Sequence, residues 1–397
     1  MTTTINNKNK KPNVPNLRFP EFQGEWEEST IGEMFDLYSG NTPSRLNKEH
    51  FKGTVNWISS GELKEHYIYS SKEQISEEAA KSLKLLPVGT FVIAIYGLEA
   101  EGVRGTGSII QEPSTISQAC MSFIPKGVIE NEFLYSWYKK HGNVIGIRYA
   151  QGTKQQNLSY DILEKFMIAY PNTKEQEKLN KFISLLDERI ATQNKIIEDL
   201  KKLKSAIIEK LYKEIQGTWY SYRQLFSIIN ERNKQLEYSN VLSASQERGM
   251  VNREDLNLDI HFERSNISTY KIVKNGDYVI HLRSFQGGFA FSEQTGICSP
   301  AYTVLRPNNL LVYGYLSNYF TSRDFVKSLI IVTYGIRDGR SINVDEWLDM
   351  KVVIPSKEQQ THIVNVIESI ENKIKNEETY SNYLLNQKQY LLRQMFI

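Results

Sequence analysis

Pro171-Asn172-Thr173-Lys174-Glu175-Gln176 and Pro355-Ser356-Lys357-Glu358-Gln359-Gln360 decide the organisation of this chain, because they occupy the same place in two copies of one pattern. Residues 158–213 align without a gap on residues 342–397 at a constant offset of 184, with Leu158 on Ile342, Asp161 on Asp345, Leu163 on Trp347 and Pro171 on Pro355. A repeat of this kind fixes architecture before any single motif is weighed. In each copy the proline closes a short apolar run, Phe166-Met167-Ile168-Ala169-Tyr170 in the first and Val352-Val353-Ile354 in the second, and both runs read as strands. Behind the prolines, Asn172 with Glu175 and Ser356 with Gln359 have the spacing of capping boxes, so two long helices begin at equivalent points.

Along the first helix apolar residues fall at Leu179, Ile183, Leu186, Ile190, Ile197, Leu200, Ile207 and Leu211, with gaps at Gln193 and Lys204. The second repeats the stripe at Ile363, Ile367, Ile370, Ile374, Leu384, Leu391 and Met395, with gaps at Glu377, Ser381 and Lys388. A spacing alternating between four and three specifies a coiled-coil seam. Connectivity makes the pair antiparallel, since the first helix delivers the chain to a second globular region and the second helix leaves it. The expected molecule is a pseudo-twofold dumbbell. Its segments are a disordered tail over 1–16, a first globular domain over 17–171, a spacer helix over 172–216, a second domain over 217–355 and a C-terminal spacer helix over 356–397.

The globular parts echo each other less regularly. Trp26 and Trp219 open them, Gly89 before Thr90-Phe91-Val92-Ile93 matches Gly276 before Asp277-Tyr278-Val279-Ile280, and Gln118-Ala119 matches Pro300-Ala301. The offset between these pairs drifts from 193 through 187 to 182, so the scaffolds agree while their loops differ in length. The fold class is α/β, of the α+β kind.

At 397 residues, 40% hydrophobic and 24% charged, the chain is globular and too long for one ordinary domain. A net charge of +2 leaves any nucleic-acid surface to local clusters of Lys and Arg. Cys120 and Cys298 are far apart and lack metal-ligand neighbours, in keeping with a reducing cytoplasm. No apolar run approaches the roughly 18 to 20 residues of a membrane helix.

Several motifs stand in a telling order: Ser39-Gly40-Asn41-Thr42-Pro43-Ser44, Trp57-Ile58-Ser59-Ser60-Gly61-Glu62-Leu63, Gly152-Thr153-Lys154-Gln155-Gln156-Asn157-Leu158-Ser159, then Pro171 followed by Glu175-Gln176. Together they resemble the target-recognition domain of type I restriction-modification specificity subunits. Leu242-Ser243-Ala244-Ser245-Gln246, Gly276-Asp277-Tyr278 running to Arg283-Ser284-Phe285-Gln286-Gly287, and Cys298-Ser299-Pro300-Ala301-Tyr302 resemble another branch of it. The resemblance implies that each domain reads one half of a split, asymmetric DNA site while the helices set the gap. It further implies two methyltransferase subunits and restriction/translocase subunits as partners. S-adenosylmethionine, ATP and Mg²⁺ would bind those partners, and this chain would hold no cofactor.

Reading base edges requires paired donors or acceptors, chiefly Arg or Lys to guanine and Gln or Asn to adenine, carried on loops that vary without disturbing the scaffold. Lys154, Gln155 and Gln156 form one such loop, and Arg337 and Arg340 occupy the matching position in the second half. Ser245, Gln246 and Arg248, then Arg283, Ser284 and Gln286, are the next candidates, with Ser60 and Arg104 in the first half. Catalytic motifs are missing. Glu62-Leu63-Lys64 fits the end of a nuclease triad, but no Pro-Asp pair stands upstream, and no phosphate loop or amino-methyltransferase tetrapeptide is present. The alternatives are a structural spacer, which predicts unpatterned loops at Lys154 and Arg337, and a stand-alone enzyme whose carboxylates and lysine would have to meet in the fold.

Overall fold

The computed structural model describes residues 12–100, 102–152, 156–245, 248–256, 264–281, 288–334 and 341–397. Two compact units share the chain: the first takes Met1–Asn194 together with Thr379–Ile397, the second Lys195–Glu378. The long helices are Thr173–Lys213 and Lys357–Met395, so each unit holds the start of one and the end of the other.

In the first unit the strands Glu27–Thr30 and Met167–Tyr170 pair antiparallel where the chain enters and leaves. Between them lies a sheet in the order Phe35–Ser39, Cys120–Pro125, Phe91–Ala94, Gly107–Ile110, with the short strand Tyr67–Ile68 at its edge. The central strands Phe91–Ala94 and Gly107–Ile110 are buried throughout because a helix, Asn131–Tyr149, covers them with Phe133, Leu134 and Tyr138. A smaller sheet joins Glu73–Ile75, Val55–Ile58 and Ser114–Ile116.

The second unit repeats the plan. Thr218–Ser221 pairs with Lys351–Ile354, and a sheet runs Phe226–Ile229, Thr303–Pro307, Tyr278–Ile280, Phe289–Phe291, the same order of equivalent strands. The second unit also carries the hairpin Leu242–Ser245 with Gly249–Asn252 and the pair Lys271–Val273 with Gly296–Cys298. Leu163 and Trp347, aligned by the repeat, are both buried in the cores of their units.

Within each unit the helices run antiparallel. Asn194 meets Ser381 at 2.9 Å and Asp187 meets Lys388 in the first, while Lys201 meets Glu378 at 2.7 Å and Lys204 meets Glu371 at 2.5 Å in the second. The gaps in the apolar stripe are therefore polar layers. Leu179, Ile183, Ile190 and Ile197 are buried as the stripe requires, but near the ends Ile208 and Leu392 are buried where Ile207 and Leu391 were expected. Ile208 lies 18 residues after Ile190, and Leu392 lies 18 after Ile374. Eighteen residues are five turns of an unsupercoiled helix at about 3.6 residues per turn. At those ends the helices pack on the unit cores, and the 3.5-residue register no longer applies.

Two further expectations change. Residues 12–16 are held in place: Asn13 O accepts the Trp26 N–H at 2.7 Å and Asn16 donates to Gln394 at 3.1 Å, so the boundary of the tail at residue 16 is too late. The Asn172 side chain does accept the Glu175 N–H at 3.1 Å, but the Glu175 carboxylate does not close the box. Instead it pairs bidentately with Arg18, at 2.7 Å to both oxygens, which draws it into the core.

Candidate nucleic-acid interface

Register places the loops of the first unit. Ser39 lies opposite Met121, Ala94 opposite Cys120 and Ile93 opposite Gly107, so segments 40–45, 95–106 and 117–119 all leave the sheet at one end. Backbone bonds gather the rest. Ser117 N donates to Ile58 O at 2.9 Å, bringing up the turn Ser60–Glu62, and Leu158 N donates to Ile95 O at 2.8 Å. Ser60, Arg104 and Gln156, spread over 97 positions from 60 to 156, therefore share one end of the sheet. Lys154 and Gln155 lie outside the described residues, between Gln151 and Asn157, which exchange backbone bonds at 2.8 and 2.9 Å.

Arg104 and Gln156 are one structure. Arg104 Nη2 donates to Gln156 Oε1 at 2.8 Å, and Gln156 N donates to Glu99 Oε2 at 2.7 Å. That N–H, helped by the backbone of Glu99 and the charge of Arg104, holds the Glu99 carboxyl below its usual range. The Arg104 stem lies flat on the helix Asn131–Tyr149 because Gly146 leaves room: a Cβ there would stand 2.6 Å from Arg104 Cγ. Gly105, at φ +71°, has the same need, since its Cβ would lie 2.8 Å from Asn143 N.

Other motif residues are scaffold. Glu62 accepts from Ser59 N at 2.9 Å, Ser59 Oγ at 2.6 Å and Lys72 N at 2.6 Å, so the carboxylate of the apparent triad fragment is spent on its own loop. Trp57 Nε1 donates to Asn41 O at 3.0 Å, fastening the first two motifs together. Gly40 permits this, for a Cβ there would stand 2.0 Å from Ile116 O. Arg45, with a bidentate bond to Glu73 at 2.9 and 2.7 Å, lies over the Phe51 ring.

In the second unit Ile229 lies opposite Val304, and Ile280 opposite both Thr303 and Phe289, which defines the equivalent end. His281 N donates to Gly288 O at 2.7 Å there, and the His281 and Tyr302 rings stack at 5.7 Å. Arg283, Ser284 and Gln286 fall between these two residues and outside the described ones, as do Gln246, Arg337 and Arg340. Ser245 Oγ accepts the Arg248 N–H at 3.3 Å, and exposed Arg248 donates to Asp255 O at 3.2 Å. Gly249 closes their hairpin at φ +69°, where a Cβ would meet Phe291 O at 2.5 Å.

Among the described residues no group of His, Cys, Asp and Glu is arranged to hold a metal, and no helix is long and apolar enough to cross a membrane. Cys120 and Cys298 are free and buried, and burial pushes both thiols up to about 12.

Matched sheets with loops gathered at one end, each unit built on both long helices, define a tandem α/β protein. The chain matches, over residues 23–202, the family model of the type I restriction modification DNA specificity domain. It is 27% identical over 231 residues to the MjaIX specificity subunit of Methanocaldococcus jannaschii, a match covering 57% of this chain and 49% of that protein. It is 28% identical over 236 residues to a type I restriction enzyme specificity subunit of Escherichia coli, covering 58% and 57%. The chain thus spans about half the length of the curated relatives it matches. The S subunit from M. genitalium shares the fold, with a TM-score of 0.53 at 15% identity over 97% of this chain and 99% of that one. A chain from a type I R-M system solved to explain complex assembly and conformational transition does so with a TM-score of 0.61 at 14% identity over 94% and 97%.

Proposed function

We propose that this chain is the DNA-reading, non-catalytic subunit of a type I restriction-modification complex and recognises a bipartite, asymmetric site. The observation that carries this reading is the gathering of Ser60, Arg104 and Gln156 at one end of the first sheet, within the span matching the DNA specificity domain, with the same sheet order in the second unit. Buttressed by Gln156, Arg104 offers donors suited to guanine, and the Gln156 amide lies beside it. Double-stranded DNA, two methyltransferase subunits and restriction/translocase subunits are the partners, in the cytoplasm. S-adenosylmethionine, ATP and Mg²⁺ belong to those subunits, of which the methyltransferases flip and methylate an adenine in each half-site.

The test is single-molecule sequencing of adenine methylation in cells carrying this chain with its methyltransferase subunit. A split motif is expected. Changing Lys154, Gln155 and Gln156 to Ala, or Arg104 to Ala, is expected to relax one half by the ~1 to 3 kcal/mol typical of a lost base contact, a factor of about 5 to 150 in preference. No new methylation with a verified, active partner overturns the reading.

A further inference from the structure

Each long helix begins with the same buried glutamine. Gln176 Nε2 donates to Pro171 O at 2.9 Å and Val128 O at 3.2 Å, while its Oε1 accepts the Glu130 N–H at 3.0 Å. At the position 184 residues on, Gln360 Nε2 donates to Pro355 O at 3.0 Å and Leu310 O at 3.0 Å, and its Oε1 accepts the Val312 N–H at 2.8 Å. Both side chains are fully enclosed, at 0% and 1% exposure.

In each unit one amide joins three pieces: the helix itself, the strand that ends at the proline, and a loop of the globular domain. Both of its N–H donors are used, which no apolar or acidic side chain reproduces. The halves differ around this shared device. In the first unit Glu175 also binds Arg18 and Asn180 also binds Glu130 at 2.7 Å, whereas the matching residues of the second are exposed Gln359 and apolar Val364.

We infer that Gln176 and Gln360 are positioning residues that fix the angle at which each long helix leaves its recognition domain, and through it the gap between the two half-sites. This rests on the DNA-reading function proposed above. The leverage is large: a helix of 41 residues is about 60 Å long at ~1.5 Å per residue, so a swivel of about 3° at its base moves the far end by about 3 Å, one base-pair step. Gln360, whose neighbour Gln359 is exposed where Glu175 is clamped by Arg18, governs the gap more than Gln176 does.

The experiment uses the full chain in complex with its methyltransferase subunits. Duplexes carry the two half-sites marked by the wild type, with the gap shortened or lengthened by one base pair, and methyl transfer to each is measured. For Gln360→Met, which keeps length and volume, the preference for the native gap over its neighbours is expected to fall at least tenfold while base preferences within each half-site stay. Gln176→Met is expected to show a smaller change. A merely structural role would lower transfer to all duplexes in proportion, and a gap profile parallel to wild type overturns the proposal. If Gln360→Met does not assemble, Gln360→Asn, which keeps the amide on a shorter stem, is held to the same outcomes. A wild-type complex that marks no split site removes the underlying reading and this proposal with it, whereas a wild-type gap preference that survives both variants removes the proposal alone.

Discussion

Trp347→Ala is expected to cost the second unit about 3 to 5 kcal/mol, the range for emptying a large aromatic site in a packed core. Trp347 is completely buried, stacks on Tyr222 at 4.3 Å with the rings 12° from parallel, and meets the Phe226, Phe289 and Phe320 rings at 5.0 to 6.1 Å. That loss approaches the whole stability of an ordinary domain, about 5 to 15 kcal/mol. Trp347→Phe is expected to be far milder, under about 1.5 kcal/mol, because Trp347 Nε1 is buried with no acceptor among the described residues, so its removal strands no partner there. Fluorescence reports this poorly, since the other tryptophan of this unit, Trp219, is mostly exposed. Hydrogen exchange in the strand Lys351–Ile354 is the better measurement. Protection should vanish in the Ala variant and persist in the Phe variant, and equal losses would refute the account.

The second large effect is a pH dependence of the first unit centred on His66. Its ring lies between those of Tyr67 and Tyr135, at 4.1 and 3.9 Å, while Nδ1 meets Asp187 at 3.0 Å and Nε2 meets Glu132 at 2.9 Å. Lys388 binds the other oxygen of Asp187, and Lys139 lies over Tyr135. Burial opposes charge on His66, but the bonds to Asp187 and Glu132 outweigh it, and the folded value lies above the ordinary 6.5. A raised value means stabilisation that is complete below about 6.5 and is lost as pH rises through the folded value. Asp187 works in the other sense. Burial pushes it up, His66 and Lys388 more than compensate, and its lowered value gives stability that disappears only as acid protonates it. Lys139, driven down to about 8 by burial and then by Lys388, contributes an opposite slope, stability rising above about 8.

His66→Gln is therefore expected to lose about 2 kcal/mol near pH 5.5 and progressively less toward pH 8.5, from charge-assisted bonds given up only where the histidine is protonated. Urea midpoints of the first unit across that range provide the check. A gap between the wild-type and His66→Gln midpoints that fails to narrow as pH rises would contradict the assignment.

Local patterns were legible. The proline repeat, the flanking strands, both long helices and the equivalence of Leu163 with Trp347 follow from spacing, because period and cap are properties of neighbouring residues. Contacts between distant residues were not. Glu175 has the spacing of a capping box and only the fold supplies Arg18, 157 positions away. Gln176 looked like part of a helix start and turned out to bind three backbone groups. Ile207 gave way to Ile208 because a core took over from a seam. Of the first-half candidates, Arg104 and Gln156 stood apart in the sequence, and their union across 52 positions required the sheet register. Glu62 stands at capping-box spacing from Ser59, a signal that could have shown its carboxylate spent there, whereas its bond to Lys72 N came only with the fold.

The core of the first unit contains Trp26 and Phe133 and also Leu392, Met395 and Phe396, with Phe133 and Phe396 only 5.3 Å apart. Those partners are made far apart in time. At about 5 to 20 residues per second, the 370 positions between Trp26 and Phe396 take a ribosome roughly 20 to 75 seconds. Throughout that interval the nascent first unit has its apolar groove uncovered, and the second, encoded later, can draw on Ile208, Ile363 and Ile367 before the first is closed. Birth order and order of completion are thus reversed, and the unit synthesised first is the one that needs shelter longest.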